Sequence, residues 1–317
     1  MTNPGADAFL FVGQGSQYAG MGADLLVEQP GLRDLLDRAD AVLGVPLSRI
    51  MLEGPDETLT LTENTQPAIL TLSLIHYSLA LRSGRTPCVL LGHSLGEFSA
   101  WVAAGSLAFE DALRLVRLRG QAMQEAVPVG QGAMAAVISA DLEEVEALCA
   151  EVAAETGQVV AVSVINCPGN TVVSGHAEAV ALVEGRIRAS GRGTTIPLKV
   201  SAPFHCGLLK PAAEALEAAL ALVSVEPSRL PVIPNVTGEV APAGLDGDAV
   251  RRLLVRQVVE PVRWEASLRA AISAGATRAV SMGPGSALRS HLKRVSRRFP
   301  VLVLDEAEDR RSWGLDG

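Results

Sequence analysis

The residues best suited to chemistry lie in the segment Val89–Glu97, which reads Val-Leu-Leu-Gly-His-Ser-Leu-Gly-Glu. A short apolar run ends in Gly-x-Ser-x-Gly and continues into a segment typical of a helix. A sharp strand-to-helix turn leaves no room for a Cβ at its corners, a requirement that Gly92 and Gly96 meet. Ser94 would lie exposed at the positive end of the helix, where an oxyanion is stabilised. The pattern predicts a serine nucleophile, and an ordinary glycine-rich turn is the alternative.

A serine hydroxyl needs a base to remove its proton, and the chain has five histidines as candidates. His205 is preferred because it follows a predicted strand at a predicted domain junction, where clefts form. His93 precedes Ser94, so we expect it to line the pocket and not to act as the base. The other three are expected to be structural or solvated: His76 inside an apolar helix, His176 near a helix cap and His291 on a charged helix.

No aspartate or glutamate obviously faces the predicted site as a third member that would orient the imidazole of His205. A main-chain carbonyl can hold the Nδ1 proton of a histidine instead. The residues alone therefore favour a Ser-His dyad without identifying the orienting group.

Arg119 is the one arginine of its predicted helix that points toward the core. At about 100° per residue, apolar side chains fall within roughly 60° of it, namely Ala112, Leu115, Val116, Ala122, Met123 and Ala126. A buried guanidinium without a partner costs several kcal/mol, so it requires a carboxylate or a set of carbonyls. Two interpretations stay open: a salt bridge to an internal acid, or a bidentate contact with the carboxylate of a ligand.

A glycine-rich turn, Gly-Gln-Gly-Ser-Gln at 13–17, directly follows the first predicted strand. Backbone N–H groups in such a turn can hold an anion. A phosphate loop would need Gly-Lys-Ser/Thr, which this turn lacks. We therefore predict that it forms the second half of an oxyanion hole, with the N–H of Leu95 as the first half.

Composition narrows the class of protein. The chain has 317 residues, a formal charge of −8 and 48% apolar residues, which argues against a nucleic-acid partner. No apolar run approaches the roughly 20 residues of a membrane span, and residues 1–7 resemble no leader peptide. Four scattered cysteines (Cys88, Cys149, Cys167 and Cys206) favour neither zinc nor disulfides. We expect a cytoplasmic protein with no membrane partner.

The predicted elements alternate between strand and helix, which is typical of a parallel sheet covered on both faces. This alternation occupies 1–129 and 200–317, with the polar tail after residue 305 expected to fray. Between them, 130–199 reads as β-α-β-β-α-β, with strands predicted at 133–139, 159–165, 171–174 and 194–200 and helices at 141–155 and 177–190. The expected fold is a hydrolase-like α/β domain carrying an inserted ferredoxin-like subdomain.

Together, these motifs resemble the malonyl-CoA:acyl carrier protein transacylase family along nearly the whole chain. The residues that carry the resemblance occur in the family's order: Gly-Gln-Gly-Ser-Gln (13–17), Thr-Gln-Pro-Ala (65–68), Gly-His-Ser-Leu-Gly-Glu (92–97), Arg-Leu-Arg-Gly (117–120), Asn-Cys-Pro-Gly-Asn (166–170), Pro-Phe-His-Cys (203–206), Asn-Val-Thr-Gly (235–238), Arg-Gln (256–257) and Gly-Pro-Gly (283–285). The chain has Val12 where the family usually has proline before Gly-Gln-Gly, and we expect this difference to shift the first turn slightly.

The resemblance implies a role for each matching residue. Ser94 would be the acylated nucleophile and His205 its base, oriented by the main-chain carbonyl of Gln257. The backbone N–H groups of Gln14 and Leu95 would form the oxyanion hole. The substrate contacts it implies are Arg119 for the malonyl carboxylate, Phe204 and Leu95 for selection against an α-branch, and Asn166 and His93 for lining the pocket.

The activity implied is a ping-pong transfer of malonyl from malonyl-CoA to the phosphopantetheine thiol of an acyl carrier protein, with no resident cofactor or metal. A thioesterase or carboxylesterase would share the elbow and the histidine but would not need the inward arginine. A non-catalytic scaffold is the third class. The sequence leaves open whether the protein acts in fatty-acid or in polyketide synthesis. We expect a monomer.

Overall fold

The computed structural model describes residues 6–82 and 84–315 as a mixed α/β structure. Residues 1–5, part of the stretch in which no leader is expected, lie outside the described residues. The first part of the chain contains, in order, β1 (Asp7–Phe11), α1 (Ala23–Glu28), α2 (Asp34–Leu43), α3 (Leu47–Glu53), α4 (Asp56–Thr60), α5 (Thr62–Arg82), β2 (Val89–Gly92), α6 (Gly96–Ala103) and α7 (Phe109–Ala126).

The second part begins with β3 (Gly132–Ile138), α8 (Leu142–Thr156), β4 (Val160–Cys167), β5 (Asn170–His176), α9 (Ala177–Ser190) and β6 (Thr194–Pro197). It continues with α10 (Lys210–Leu220), β7 (Val232–Ile233), α11 (Gly247–Val259), α12 (Trp264–Ser273), β8 (Arg278–Met282), α13 (Ala287–Val295), β9 (Val301–Val303) and α14 (Ala307–Ser312).

The larger sheet has five strands in the order β7-β2-β1-β8-β9, and every pairing in it is parallel. All five residues of the central strand β1 are buried. A parallel strand buried on both faces requires helices on both sides of the sheet, which explains why β1 and β2 read as continuous apolar runs. The predicted parallel sheet flanked by helices is confirmed.

The smaller sheet has four strands in the order β4-β5-β3-β6, and its pairings are antiparallel. Its strands and the helices α8 and α9 follow one another as β-α-β-β-α-β. Val145, Cys149, Val173 and Val183 belong to a buried apolar cluster separate from the main core. This sheet therefore has a hydrophobic core of its own.

A short backbone connection joins the smaller sheet to the rest of the molecule. The N–H of Ile165 in β4 donates to Val262 O at 2.9 Å, and the N–H of Val262 donates to Ser163 O at 2.9 Å. At the carboxyl ends of β1 and β8 in the larger sheet, the N–H of Val12 donates to Met282 O at 3.1 Å. Proline could not make this last bond, so valine at this position adds a link between the residue after β1 and Met282, the last residue of β8.

The C-terminal tail corrects one prediction. It does not fray after residue 305 but forms α14, whose Arg310 is 1% exposed. Arg310 donates to Asp24 Oδ2 at 2.6 Å, to Glu28 Oε2 at 3.1 Å and to Leu304 O at 2.9 Å. Sequence periodicity also misses α1, α3 and α4, which have five to seven residues each and are too short to show a helical period.

Among the described residues, no helix combines the length and the apolar character that crossing a bilayer requires.

We predict that Arg310→Met lowers the free energy of unfolding by about 1–3 kcal/mol, because Asp24, Glu28 and Leu304 O lose their shared donor. Arg311→Met, at an exposed position of the same helix, is the matched control and should change stability by less than about 0.5 kcal/mol. Urea unfolding of the three proteins measures the difference. Equal stabilities for the two variants would show that the tail does not depend on this contact.

Candidate active site

The turn between β2 and α6 holds Ser94. A Cβ on Gly92 would lie 2.0 Å from the main-chain oxygen of Gly96, and one on Gly96 would lie 2.2 Å from Phe11 O. Ser94 itself has a φ of 50°, in the left-handed region that side chains with a Cβ rarely adopt. The turn is thus tight enough to require both glycines, and it presents the serine at the start of a helix.

Asn235, just past β7, holds this strained turn in place. Its side-chain Oδ1 accepts from the N–H of Ser94 at 2.7 Å, and its Nδ2 donates to Gly92 O at 2.6 Å. Asn235 is fully buried, so water does not compete for these bonds. Strain of this kind persists only where the surroundings fix it, and the amide of Asn235 supplies that fixation.

His205 lies against the serine, as its position at the domain junction predicted. Its Nε2 is 2.7 Å from Ser94 Oγ, and its Nδ1 is 2.7 Å from the main-chain oxygen of Gln257. A carbonyl only accepts, so Nδ1 carries the proton and Nε2 is left to accept from the serine hydroxyl. This is the geometry that a general base requires.

The surroundings of His205 keep its imidazole neutral. Burial lowers its pKa from 6.5 to about 3; the field of Arg119 acts in the same direction, while the hydrogen bond to Gln257 opposes it. Like Ser94, His205 has a positive φ, here 58°. Ser94 and His205 are therefore held in strained backbone conformations beside each other, a pattern found at functional sites.

Two free backbone donors point to an oxyanion site. Gln14 and Leu95 line the cavity beside Ser94, and in the described part of the chain neither backbone N–H has a protein acceptor. The neighbouring donors are occupied: the N–H of Gly15 bonds to Gln17 Oε1 at 2.8 Å, and that of Ser94 bonds to Asn235. The N–H groups of Gln14 and Leu95 are therefore available to an acceptor in the cavity.

Arg119 is buried, at 1% exposure, and reaches the same cavity. Its Nη1 donates to Gln66 Oε1 at 2.8 Å and its Nη2 to Gln257 Oε1 at 3.0 Å. Burial lowers its pKa to about 10, while nearby Glu97 acts in the opposite direction, so the group is charged at neutral pH.

The partners of Arg119 argue against the first of the two interpretations left open by the sequence, an internal salt bridge. Both acceptors are neutral amides, and among the described residues no carboxylate lies within 4.0 Å of the guanidinium. Its Nε has no partner there either. A guanidinium has five N–H donors, so this one keeps unused donors and lacks the internal salt bridge that the first interpretation required.

The cavity that joins these groups has a volume of about 650 Å³, within the range of small-molecule sites. Apolar side chains from the smaller sheet and from the segment after it line this cavity, among them Met134, Val164, Val172, Leu198 and Phe204. Ser94, His205 and Arg119 line the same cavity. Residues from both sheets, or from the segments that follow their strands, therefore contribute to it.

His93 and Asn166 both line the cavity, as predicted for substrate-contacting positions. His93 Nε2 lies 2.9 Å from Asn166 Oδ1, so His93 donates to it. Asn166 Nδ2 in turn donates to Asn170 Oδ1 at 3.2 Å. His93 is held away from the serine hydroxyl by these contacts.

His291 corrects a second prediction. It is not a solvated residue of the last long helix but lines the cavity, and its ring centroid lies 6.1 Å from that of His93. Burial lowers its pKa to about 4. The charged residues around it in the sequence, Arg289, Lys293 and Arg294, mask this position. His76 and His176, by contrast, lie away from the site and accept from the backbone N–H groups of Gly283 and Val159, both at 2.9 Å.

Sequence reasoning assigned no role to three buried polar residues of the site, namely Gln66, Glu97 and Asn235. All three lie in the motifs that carry the family resemblance. A physical signal was also present for Glu97, which is an acid in an otherwise apolar helix. The part of the chain that the structure describes has no group of three or more His, Cys, Asp or Glu residues that could hold a metal ion.

The fold and the site are those of an acyl transferase domain, whose family model matches residues 8–311. The malonyl CoA-acyl carrier protein transacylase of Bacillus subtilis (strain 168) is 43% identical over 301 residues, 95% of this chain and 94% of that protein. The corresponding transacylase of Escherichia coli (strain K12) is 41% identical over 300 residues, 94% and 96% of the two chains. The protein belongs to the malonyl CoA-acyl carrier protein transacylase family, which confirms the resemblance.

Solved structures agree with this assignment. The malonyl CoA-acyl carrier protein transacylase of Coxiella burnetii superposes with a TM-score of 0.93 at 38% identity, covering 98% of this chain and 96% of that one. A malonyl-transacylase in complex with its type II PKS acyl-carrier protein superposes with a TM-score of 0.92 at 37% identity, covering 97% and 98%. The similarity therefore extends over both sheets.

We predict that acylation of Ser94 by malonyl-CoA persists well below pH 6.5, because a base with a pKa of about 3 is still neutral there. Single-turnover acylation, followed by quenching and intact-mass measurement between pH 5 and pH 8, tests this. A tenfold fall of the rate centred near pH 6.5 would contradict it.

Unfolding at each pH is the necessary control. His76, His205 and His291 have folded-state pKa values of about 3, 3 and 4, each lowered from 6.5. The unfolded state therefore binds more protons in this window, and stability declines as the pH falls from about 6.5 toward 3. Rates are compared only where the folded fraction is constant.

Proposed function

We propose that this protein transfers a malonyl group from malonyl-CoA to the phosphopantetheine thiol of an acyl carrier protein through an ester on Ser94. The observation that carries the proposal is the pairing of Ser94 and His205 in one cavity with a buried guanidinium that has unused donors. The base accounts for acyl transfer, and the guanidinium accounts for an acyl group that ends in a carboxylate.

In the first half-reaction, Nε2 of His205 accepts the proton of Ser94 as the serine Oγ attacks the thioester carbonyl. The carbonyl oxygen gains negative charge and moves toward the backbone N–H groups of Gln14 and Leu95. When the carbonyl re-forms, the carbon–sulfur bond breaks and His205 gives its proton to the departing thiolate of CoA. The products are malonyl-Ser94 and free CoA.

In the second half-reaction, the thiol of the carrier protein's phosphopantetheine enters where CoA has left. His205 accepts its proton as the sulfur attacks the ester carbonyl of malonyl-Ser94, and the same two N–H groups hold the oxyanion. The ester bond breaks, the proton returns to Ser94 Oγ, and malonyl leaves as a thioester. One site serving two thiols in turn predicts ping-pong kinetics, and these steps use only groups of the chain itself.

Selection of malonyl depends on Arg119, whose free N–H groups can hold the distal carboxylate in a bidentate contact. Phe204 and Leu95 line the same cavity, which supports a role in excluding an α-branch by crowding it. His93 and Asn166 form the polar wall next to the serine, where they can position the rest of the acyl thioester.

We also propose that the fold is a hydrolase-like domain that carries a ferredoxin-like subdomain. The order β4-β5-β3-β6 with two helices supports a ferredoxin-like subdomain over 130–199, and the parallel sheet with the elbow after β2 supports a hydrolase-like domain over 1–129 and 200–317. The names of the relatives support an acyl carrier protein as the partner. A cytoplasmic location and a monomeric state stay predictions.

We predict that incubation with malonyl-CoA adds one malonyl group to the intact protein. Ser94→Ala should abolish the addition, because among the described residues no other hydroxyl is hydrogen-bonded to His205. Intact-mass spectrometry measures both. Adding holo acyl carrier protein should discharge the ester and load the carrier. Release of malonate at the same rate without the carrier would favour a hydrolase instead, and absence of the adduct on the unmodified protein would favour a non-catalytic role.

We predict that Arg119→Ala lowers kcat/KM for malonyl-CoA by roughly 30-fold or more while acetyl-CoA changes by only a few fold. Only malonyl presents the carboxylate, and a charged hydrogen-bond pair contributes about 2–4 kcal/mol. Arg114→Ala is the control, because Arg114 is an exposed arginine on α7 that pairs with Asp111. Equal losses for the two substrates would show that Arg119 is structural.

A further inference from the structure

Glu97, one residue beyond the elbow, is a fully buried carboxylate surrounded only by N–H donors. Its Oε1 accepts from Trp101 Nε1 at 3.1 Å. Its Oε2 accepts from the backbone N–H of Asn235 at 2.9 Å and from Gln257 Nε2 at 2.8 Å. Burial raises the pKa of Glu97, while its three hydrogen-bond donors and the charge of Arg119 act in the opposite direction. Neither oxygen has an acceptor to which a proton could be donated among the described residues, so the hydrogen-bond geometry favours the ionised carboxylate.

One end of the Gln257 side-chain amide faces the carboxylate of Glu97. Its Nε2 donates to Glu97 Oε2 and to Ser94 O, both at 2.8 Å. A rotated amide would place an oxygen against those two oxygens, which is repulsive. Glu97 and Ser94 O together therefore fix which end of the amide faces them, and Oε1 must face the opposite way.

The opposite side is the active-site cavity. Gln257 Oε1 accepts from Arg119 Nη2 at 3.0 Å, and the main-chain oxygen of the same residue accepts from His205 Nδ1 at 2.7 Å. One residue thus holds both the base and the guanidinium. Glu97, the one charged acceptor of the Gln257 side-chain NH₂ among the described residues, helps to set the orientation of that amide together with Ser94 O and Asn235 Oδ1.

The neutral amide also separates two opposite charges. Without it, the nearest carboxylate to Arg119 would be free to approach and occupy the guanidinium, as in an ordinary buried ion pair. With it, Glu97 balances the charge from a distance, while the unused N–H groups of Arg119 stay available to a ligand.

We propose that Glu97 is a positioning residue, which orients the Gln257 amide so that Arg119 is held by a neutral acceptor and kept open to the substrate carboxylate. The inference rests on the proposed function, because the carboxylate in question belongs to the malonyl group.

The test compares Glu97→Gln with the exchanged pair Glu97→Gln/Gln257→Glu, using kcat/KM and KM for malonyl-CoA and acetyl-CoA. In Glu97→Gln, the amide NH₂ must face either Trp101 Nε1 or the two donors from Asn235 and Gln257. In both cases the negative charge that Gln257 Nε2 faces is lost, so the bond that helps to orient Gln257 weakens. We expect kcat/KM to fall about tenfold or more for both substrates, because the holds on His205 and Arg119 loosen together.

In the exchanged pair, residue 97 again bonds to residue 257, but the carboxylate now lies directly against Arg119. Acetyl transfer should not recover fully, because a carboxylate oxygen of residue 257 now replaces the donor that faced Ser94 O, but its rate is the reference for a variant in which malonyl-CoA alone meets a competing carboxylate. Malonyl-CoA should keep a KM at least about tenfold higher, because its carboxylate competes with that of residue 257. If Glu97 only stabilised the fold, the exchanged pair would change the kinetics of malonyl-CoA and acetyl-CoA equally.

Ser99→Ala is the matched control for the fold, since Ser99 is buried in the same helix and its hydroxyl has no partner among the described residues. Its kinetics should be unchanged. Thermal unfolding of each variant reports whether rates refer to folded protein.

The inference is overturned if Glu97→Gln keeps both rates, or if the exchanged pair retains the malonyl preference. If one of the two variants does not fold, the kinetics of the other variant test the inference. If the unmodified protein forms no malonyl ester on Ser94, the proposed function fails and this inference fails with it; a normal ester on the unmodified protein with unaffected variants overturns this inference alone.

Discussion

The buried guanidinium of Arg119 is the constraint on which the rest of the site depends. Removing such a charge from water costs several kcal/mol unless hydrogen bonds and a counter-charge offset it. A direct ion pair would be the simplest way to offset this cost. However, it would also occupy the N–H donors of Arg119 that the carboxylate of a ligand would need. The structure instead surrounds Arg119 with the amide oxygens of Gln66 and Gln257 and leaves Glu97 one residue farther away. The group is stabilised without being saturated.

The parallel sheet explains how residues far apart in the chain meet at the serine. Gln14 follows β1, Ser94 follows β2 and Asn235 follows β7, and these three strands are neighbours in the sheet. The carboxyl ends of parallel strands lie at one edge, where ligands of open α/β sheets bind. The base and the guanidinium come from outside the sheet and approach the same edge. The smaller sheet then closes the cavity with apolar side chains.

Sequence reasoning succeeds here where a local rule has one solution. Gly92 and Gly96 predict the elbow because a Cβ at either position would collide with backbone, and helical periodicity alone turns Arg119 inward. It fails where the outcome depends on tertiary contacts. His291 lies in a charged segment yet faces the cavity, and the polar tail becomes helical because Arg310 finds Asp24 and Glu28 on a helix that periodicity does not reveal. The partners of Arg119 likewise come from α5 and α11, and no spacing rule links them to α7.

The most direct test of the account is a crystal structure of the protein with malonate esterified to Ser94. We expect the distal carboxylate of the acyl group to lie about 3 Å from the guanidinium nitrogens of Arg119, with Gln66 and Gln257 still bound on its other side. An acyl carboxylate directed into solvent, with the guanidinium making only its two amide contacts, would contradict the claim that this buried charge selects the substrate.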